Sequence, residues 1–201
     1  MSERAAQEAT ERAVAKQSEP ATGPASAAER RGNPPDSLPF SAADASELHL
    51  ADVEATQAAG ARLGALLRAG DVLAATGDLG AGKTSFAQGL ARGLGVPPGH
   101  YVNSPTFALL QSHPGRVPFH HIDLYRISDP DELMGLGLED LLGGEGVAYV
   151  EWPQRAPEVL PPDVLWVSLA HAGAGRRLRL VATGARSAAL VAQFAEGISS
   201  L

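Results

Sequence analysis

The 201-residue sequence contains no cysteine, so disulfides and thiolate metal sites are excluded. Lysine is almost as scarce, with Lys16 and Lys83 the only two in the chain. No apolar run approaches the length of a membrane span. The N-terminus lacks the apolar core of a secretory signal. These gaps imply a cytoplasmic protein without a membrane-spanning segment. An excess of positive charge is missing too: the net charge is −7, which argues against broad, non-specific contact with a phosphate backbone.

Apolar content is uneven along the chain. Residues 1–37 hold nine alanines and a single large aliphatic residue, Val14, with no aromatic. Such a stretch buries too little apolar surface to offset its ordering entropy. Residues 1–38 therefore read as a disordered Ala/Glu/Pro-rich tail, set off by Pro34-Pro35 and Pro39. Residues 39–201 read as one domain, long enough to bury a substantial core.

The domain is organised around Gly77-Asp78-Leu79-Gly80-Ala81-Gly82-Lys83-Thr84, followed by Ser85. The pattern G-x-x-x-x-G-K-T is that of a phosphate-binding loop. Glycines let the backbone turn its N–H groups onto phosphate oxygens. Lys83 has the reach to contact β- and γ-phosphates, and the Thr84 hydroxyl is a Mg²⁺ ligand by type. Context agrees with motif. Val72–Thr76 reads as a buried parallel strand, and Phe86, Leu90 and Leu94 recur at helical spacing behind the loop. The positive end of that helix faces the same anion.

The remaining pattern is α/β. A strand is expected at Glu47–Ala51, and Asp52 is placed to cap a helix from Val53 to about Ala69. Strands are expected at Thr106–Gln111, Val117–Asp123 and Val147–Val150. A helix should begin at Ser128-Asp129-Pro130 and carry Leu133, Leu136, Leu138, Leu141 and Leu142. Val164–Leu169 and Arg177–Val181 read as a β-hairpin, and Ser187 to about Ile198 as a last helix. The expected fold is a P-loop NTPase three-layer sandwich, with a mainly parallel sheet and one antiparallel hairpin.

A P-loop site needs an acid near Mg²⁺ and a group that handles the attacking water. Asp123 and Glu151 each close an expected strand, where open α/β sheets bind ligands. Their division of labour is open on these grounds. Ser104-Pro105-Thr106-Phe107 stands where nucleotide switches offer a hydroxyl to metal and γ-phosphate. His120 and His121 are adjacent on a strand and point to opposite faces, so they form a poor joint ligand pair and read as structural. Trp152 is either a core aromatic or a cover over the site.

Five blocks occur in the order and spacing of the TsaE family: the P-loop; Ser104-Pro105-Thr106-Phe107; His121-Ile122-Asp123-Leu124-Tyr125-Arg126; Asp129-Pro130-Asp131-Glu132-Leu133; and Glu151-Trp152-Pro153. The chain resembles that family from about Leu48 to Leu180. The resemblance implies an ATPase, slow in isolation, that acts with the proteins TsaD and TsaB in threonylcarbamoyladenosine modification of tRNA beside the anticodon. It implies ATP and Mg²⁺ as ligands, and tRNA engaged through the complex rather than by extensive direct contact. By motif position, Thr84 and Glu151 look like the Mg²⁺ ligands. Lys83, Asp123 and Thr106 look like the catalytic groups, with Asp123 at the attacking water. Trp152 and Arg176 resemble nucleotide-flanking residues, and Thr56 and Gly60 match a first-helix pattern near the adenine end. Two other readings of the P-loop are a small-molecule or nucleoside kinase and a nucleotide-dependent binding module.

Overall fold

The computed structural model describes residues 45–133 and 135–197. The expected N-terminal tail lies outside the described residues. Seven strands form one sheet in the order β1-β7-β6-β2-β5-β4-β3. They are β1 (Ala45–Leu50), β2 (Val72–Thr76), β3 (Leu110–His113), β4 (Phe119–Asp123), β5 (Val147–Glu151), β6 (Leu165–Ala172) and β7 (Gly175–Ala182). The centre, β6-β2-β5-β4, is parallel. The pairs β1–β7, β6–β7 and β3–β4 are antiparallel. The antiparallel part therefore exceeds the single hairpin expected and borders the parallel centre on both sides.

The parallel strands β2, β4 and β5 are buried at every position, as sheet covered on both faces requires. On one face lie α1 (Val53–Leu66), α2 (Lys83–Gly93) and α4 (Ala185–Glu196). Leu63, Phe86, Leu90 and Phe194 from these helices pack on Leu73, Tyr149, Leu165 and Leu180. The opposite face carries irregular cover: Leu133, Leu136, Leu138 and Leu141 pack on Ile122 and Val150.

Asp52 caps α1 as its position suggests, with Oδ1 accepting from the Ala55 N–H at 2.7 Å. The helix stops at Leu66, short of the expected Ala69. Close packing of α1 on α2 rests on four glycines. A Cβ on Gly60, Gly64, Gly89 or Gly93 would lie 2.1–2.4 Å from a carbonyl of the facing helix.

Three expected elements are corrected. The leucine-rich segment is not one helix but a 3₁₀ turn, Pro130–Leu133, and a single α turn, α3 (Leu138–Leu141). Gly135 and Gly137 adopt φ of +76° and +71° between them, which ends a helix. Strand β3 starts at Leu110 rather than Thr106. Leu109 sits at φ +65°, and its N–H donates to the Pro105 carbonyl, so the preceding residues form a turn. The last helix begins earlier, at Ala185. Ser187 Oγ there accepts from the N–H groups of Thr183 and Gly184, both at 3.0 Å.

Candidate functional site

The site lies at the carboxyl ends of β2, β4 and β5, where α2 begins. Asp123 on β4 pairs directly with Glu151 on the parallel strand β5. Both carboxylates are 2 % exposed. Two buried acids side by side repel one another unless cations stand between them. Lys83 is a cation near enough for both charges to act on it. Burial pushes its pKa down, while the charges of Glu151, Asp123 and Asp78 oppose the shift. Its ammonium donates to the carbonyls of Gly77 at 2.8 Å and Asp78 at 3.0 Å. It also sits 4.2 Å above the Trp152 ring.

The loop backbone follows its glycines. Gly80 and Gly82 take φ of +78° and +106°, a region that strains residues with a Cβ. Ala81 N–H turns back to the Asp78 carbonyl at 3.1 Å. Asp78, Leu79 and Gly80 are exposed and Ser85 is half-buried. Arg176, at the start of β7, donates to the Gly80 carbonyl at 3.3 Å, which brings the hairpin to the loop. The Thr56 methyl would lie 3.6 Å from a Cβ on Gly82, so the first helix also borders the loop. Gly60 does not. Its α carbon is packed under the Phe86 carbonyl, and its reason for being glycine is helix packing.

Thr84 Oγ1 donates to Glu151 Oε1 at 3.1 Å, so the two expected metal ligands stand together. A second donor reaches the same oxygen: His121 Nε2 at 2.9 Å. Asp123 is held otherwise. Its Oδ2 accepts from the hydroxyls of Ser104 and Thr106, the latter at 2.7 Å, and its Oδ1 accepts from the Tyr125 N–H at 2.9 Å. Tyr149, fully buried, donates to the Lys83 carbonyl at 2.9 Å; burial, then the charges of Glu151 and Asp123, raises its pKa. Trp152 takes φ +59°, and its ring stands 5.0 Å from that of Tyr125. Half-buried, it packs against the Leu109, Ile122 and Val150 core cluster and also lies under the Lys83 ammonium, so it belongs to both core and site.

Thr56, Thr84, Thr106, Asp123, Glu151, Trp152 and Arg176 are thus linked to the glycine loop, to Lys83 or to the two carboxylates, whereas Gly60 and His120 are not. Sequence reasoning read His121 as structural, missed Tyr149, and named Ser104 only as part of the switch segment. The signal for His121 was present: it precedes Asp123 by two positions on one strand and so shares its face. No group of three or more His, Cys, Asp or Glu side chains forms a ready-made metal cage among the described residues. A hydroxyl and a carboxylate beside a phosphate loop suit Mg²⁺, which takes few protein ligands and completes its shell with phosphate and water.

A family model described as "Threonylcarbamoyl adenosine biosynthesis protein TsaE" matches residues 50–178. The chain belongs to the TsaE family. It is 42 % identical to the tRNA threonylcarbamoyladenosine biosynthesis protein TsaE of Bacillus subtilis over 125 residues, which cover 62 % of this chain and 77 % of that one. It is 44 % identical to the Streptomyces coelicolor protein of the same name over 110 residues, 53 % of this chain and 72 % of that one. The crystal structure of Bacillus subtilis YdiB superposes with a TM-score of 0.68 at 31 % identity. That superposition covers 77 % of this chain and 96 % of YdiB. The family model ends before α4. No helix among the described residues is long and apolar enough to cross a membrane.

Proposed function

We propose that this chain is an ATP-binding and ATP-hydrolysing subunit of the machinery that forms threonylcarbamoyladenosine on tRNA, acting with TsaD and TsaB. Membership of the TsaE family supports the pathway. The single observation that carries the ATPase reading is Lys83, Thr84, Glu151 and Asp123 meeting at the glycine loop.

In this reading the loop N–H groups and Lys83 hold the phosphates, with Arg176 and Trp152 beside the nucleotide. Lys83 gives up the carbonyls of Gly77 and Asp78 to do so. Thr84 and Glu151 would hold Mg²⁺, which would offset the charge of the phosphates. Asp123 orients the attacking water and accepts its proton. Thr106, which donates to Asp123 in this structure, supplies the switch-loop hydroxyl. Turnover is slow in isolation, because the sequence offers no evident arginine finger and its charge is acidic overall. The net charge of −7 favours engagement of tRNA through the complex.

The test is threonylcarbamoyladenosine formation on tRNA by TsaD and TsaB, with the threonylcarbamoyl adenylate supplied. Reactions with this protein, without it, and with Lys83→Ala are compared. Product should rise well past one turnover only with the intact loop. Equal product in all three would remove the functional half of the proposal.

A further inference from the structure

We propose that His121 is a positioning residue that aims Glu151 at the metal, a role resting on the nucleotide-binding reading above. His121 is fully buried on β4. Its Nε2 lies 2.9 Å from Glu151 Oε1, close enough for a charge-assisted hydrogen bond. That contact needs the proton on Nε2, because a carboxylate oxygen only accepts. Nδ1 is buried and has no partner among the described residues. A proton there would be unsatisfied, so the Nε2–H tautomer is the one the surroundings favour.

Register makes the contact specific. His121 pairs across the parallel ladder with Tyr149, two residues before Glu151, so ring and carboxylate share a face. Packing then fixes the ring plane. Phe119 stacks at 6.1 Å and Tyr149 meets it edge-on at 5.5 Å. Among the described residues the carboxylate has one other donor, Thr84. A Thr84 hydroxyl that ligates a cation does so through a lone pair and keeps its O–H for Glu151, but its orientation is then shared with the metal. His121, fixed by its ring neighbours and bound to no cation, is the donor that holds Oε1 independently and leaves Oε2 for the cation. Donors behind metal ligands act in this manner, and their loss typically costs about 10–100-fold in metal affinity.

The experiment measures binding, not turnover. A non-hydrolysable ATP analogue is titrated by calorimetry with Mg²⁺ and with excess chelator, and the ratio of the two Kd values is the readout. His121→Phe keeps the ring and removes the donor. His121→Gln puts an amide N–H near the Nε2 position. His121→Asn carries an amide too short to reach. The expected result is that His121→Phe and His121→Asn lose the Mg²⁺-dependent tightening by about tenfold. Their affinity in chelator should match wild type, and His121→Gln should recover most of the loss. If His121→Phe does not fold, the contrast between Gln and Asn decides the matter. A wild-type Kd ratio in the folded donor-less variants overturns the role, whatever their melting temperatures. So does a His121→Gln variant no better than His121→Asn. If wild type binds the analogue but shows no tightening by Mg²⁺, the metal-site reading has failed instead, and the role falls with it.

Discussion

Gly89→Ala tests the packing that holds the phosphate loop in place. Gly89 lies on α2, two turns after Lys83, facing α1. An added Cβ would stand 2.2 Å from the Gln57 carbonyl, 2.9 Å from Gly60 Cα and 3.0 Å from the Ala61 nitrogen. Every one of these is backbone, so no side chain can rotate out of the way. Ordinary contact begins at 3.4 Å, so α1 must move by about 1 Å. Overpacking a close-packed core costs roughly 1–3 kcal/mol, and a rigid backbone obstacle belongs at the upper end. Alanine recovers about 1 kcal/mol of helix propensity over glycine. The expected net loss is about 2 kcal/mol, or about 4–8 °C in melting temperature for a domain of this size. Urea denaturation and thermal melting measure it, with Gly99→Ala as control because a Cβ there meets nothing within 4 Å. A Gly89→Ala variant as stable as wild type would refute the reasoning, since propensity alone predicts a gain.

Two further perturbations follow from the buried groups. His113 and His120 are both pushed down to a pKa of about 4, chiefly by burial, from an ordinary 6.5. Between these values the unfolded chain binds protons that the fold refuses, so stability falls as pH drops from 6.5 to 4 and stays low beneath it. The loss is on the order of 3 kcal/mol per histidine. His120→Asn, which keeps an acceptor for the Ser112 hydroxyl now 2.9 Å away, should flatten the slope of urea stability against pH by about half; an unchanged slope would sink the assignment. On the other edge of the core, Arg186 grips Asp71 with two bonds of 2.7 and 2.8 Å, tying α4 to the start of β2. Asp71→Ala should cost about 3 kcal/mol, because it leaves a largely buried guanidinium unpaired. The double variant with Arg186→Leu should recover part of that in urea melts, whereas strictly additive losses would mean the pair is not coupled.

Much of this protein was legible in its sequence because the relevant signals are local. A loop of this type needs glycines at fixed offsets, so Gly77–Thr84 announces its backbone, with Gly80 and Gly82 at positive φ. The strands ending at Asp123 and Glu151 read as short apolar runs, and period-two alternation alone separates His120 from His121. Where the local signal misled, the cause was equally local. Leucines at helical spacing suggested one helix through residues 130–142, but Gly135 and Gly137 impose left-handed turns that spacing does not register.

What only the tertiary structure decided was adjacency between segments far apart in the chain. Strand order and register set Asp123 directly across from Glu151 and bring His121 to the same carboxylate. The hairpin delivers Arg176 to Gly80, nearly a hundred residues earlier. The sequence marked Gly60 as part of a pattern, but only the crossing of α1 on α2 shows that it serves helix contact rather than ligand. Residue type and short-range period are written along the chain; which side chains share a face of a sheet depends on strand pairing, and pairing is settled by burial of the whole core at once.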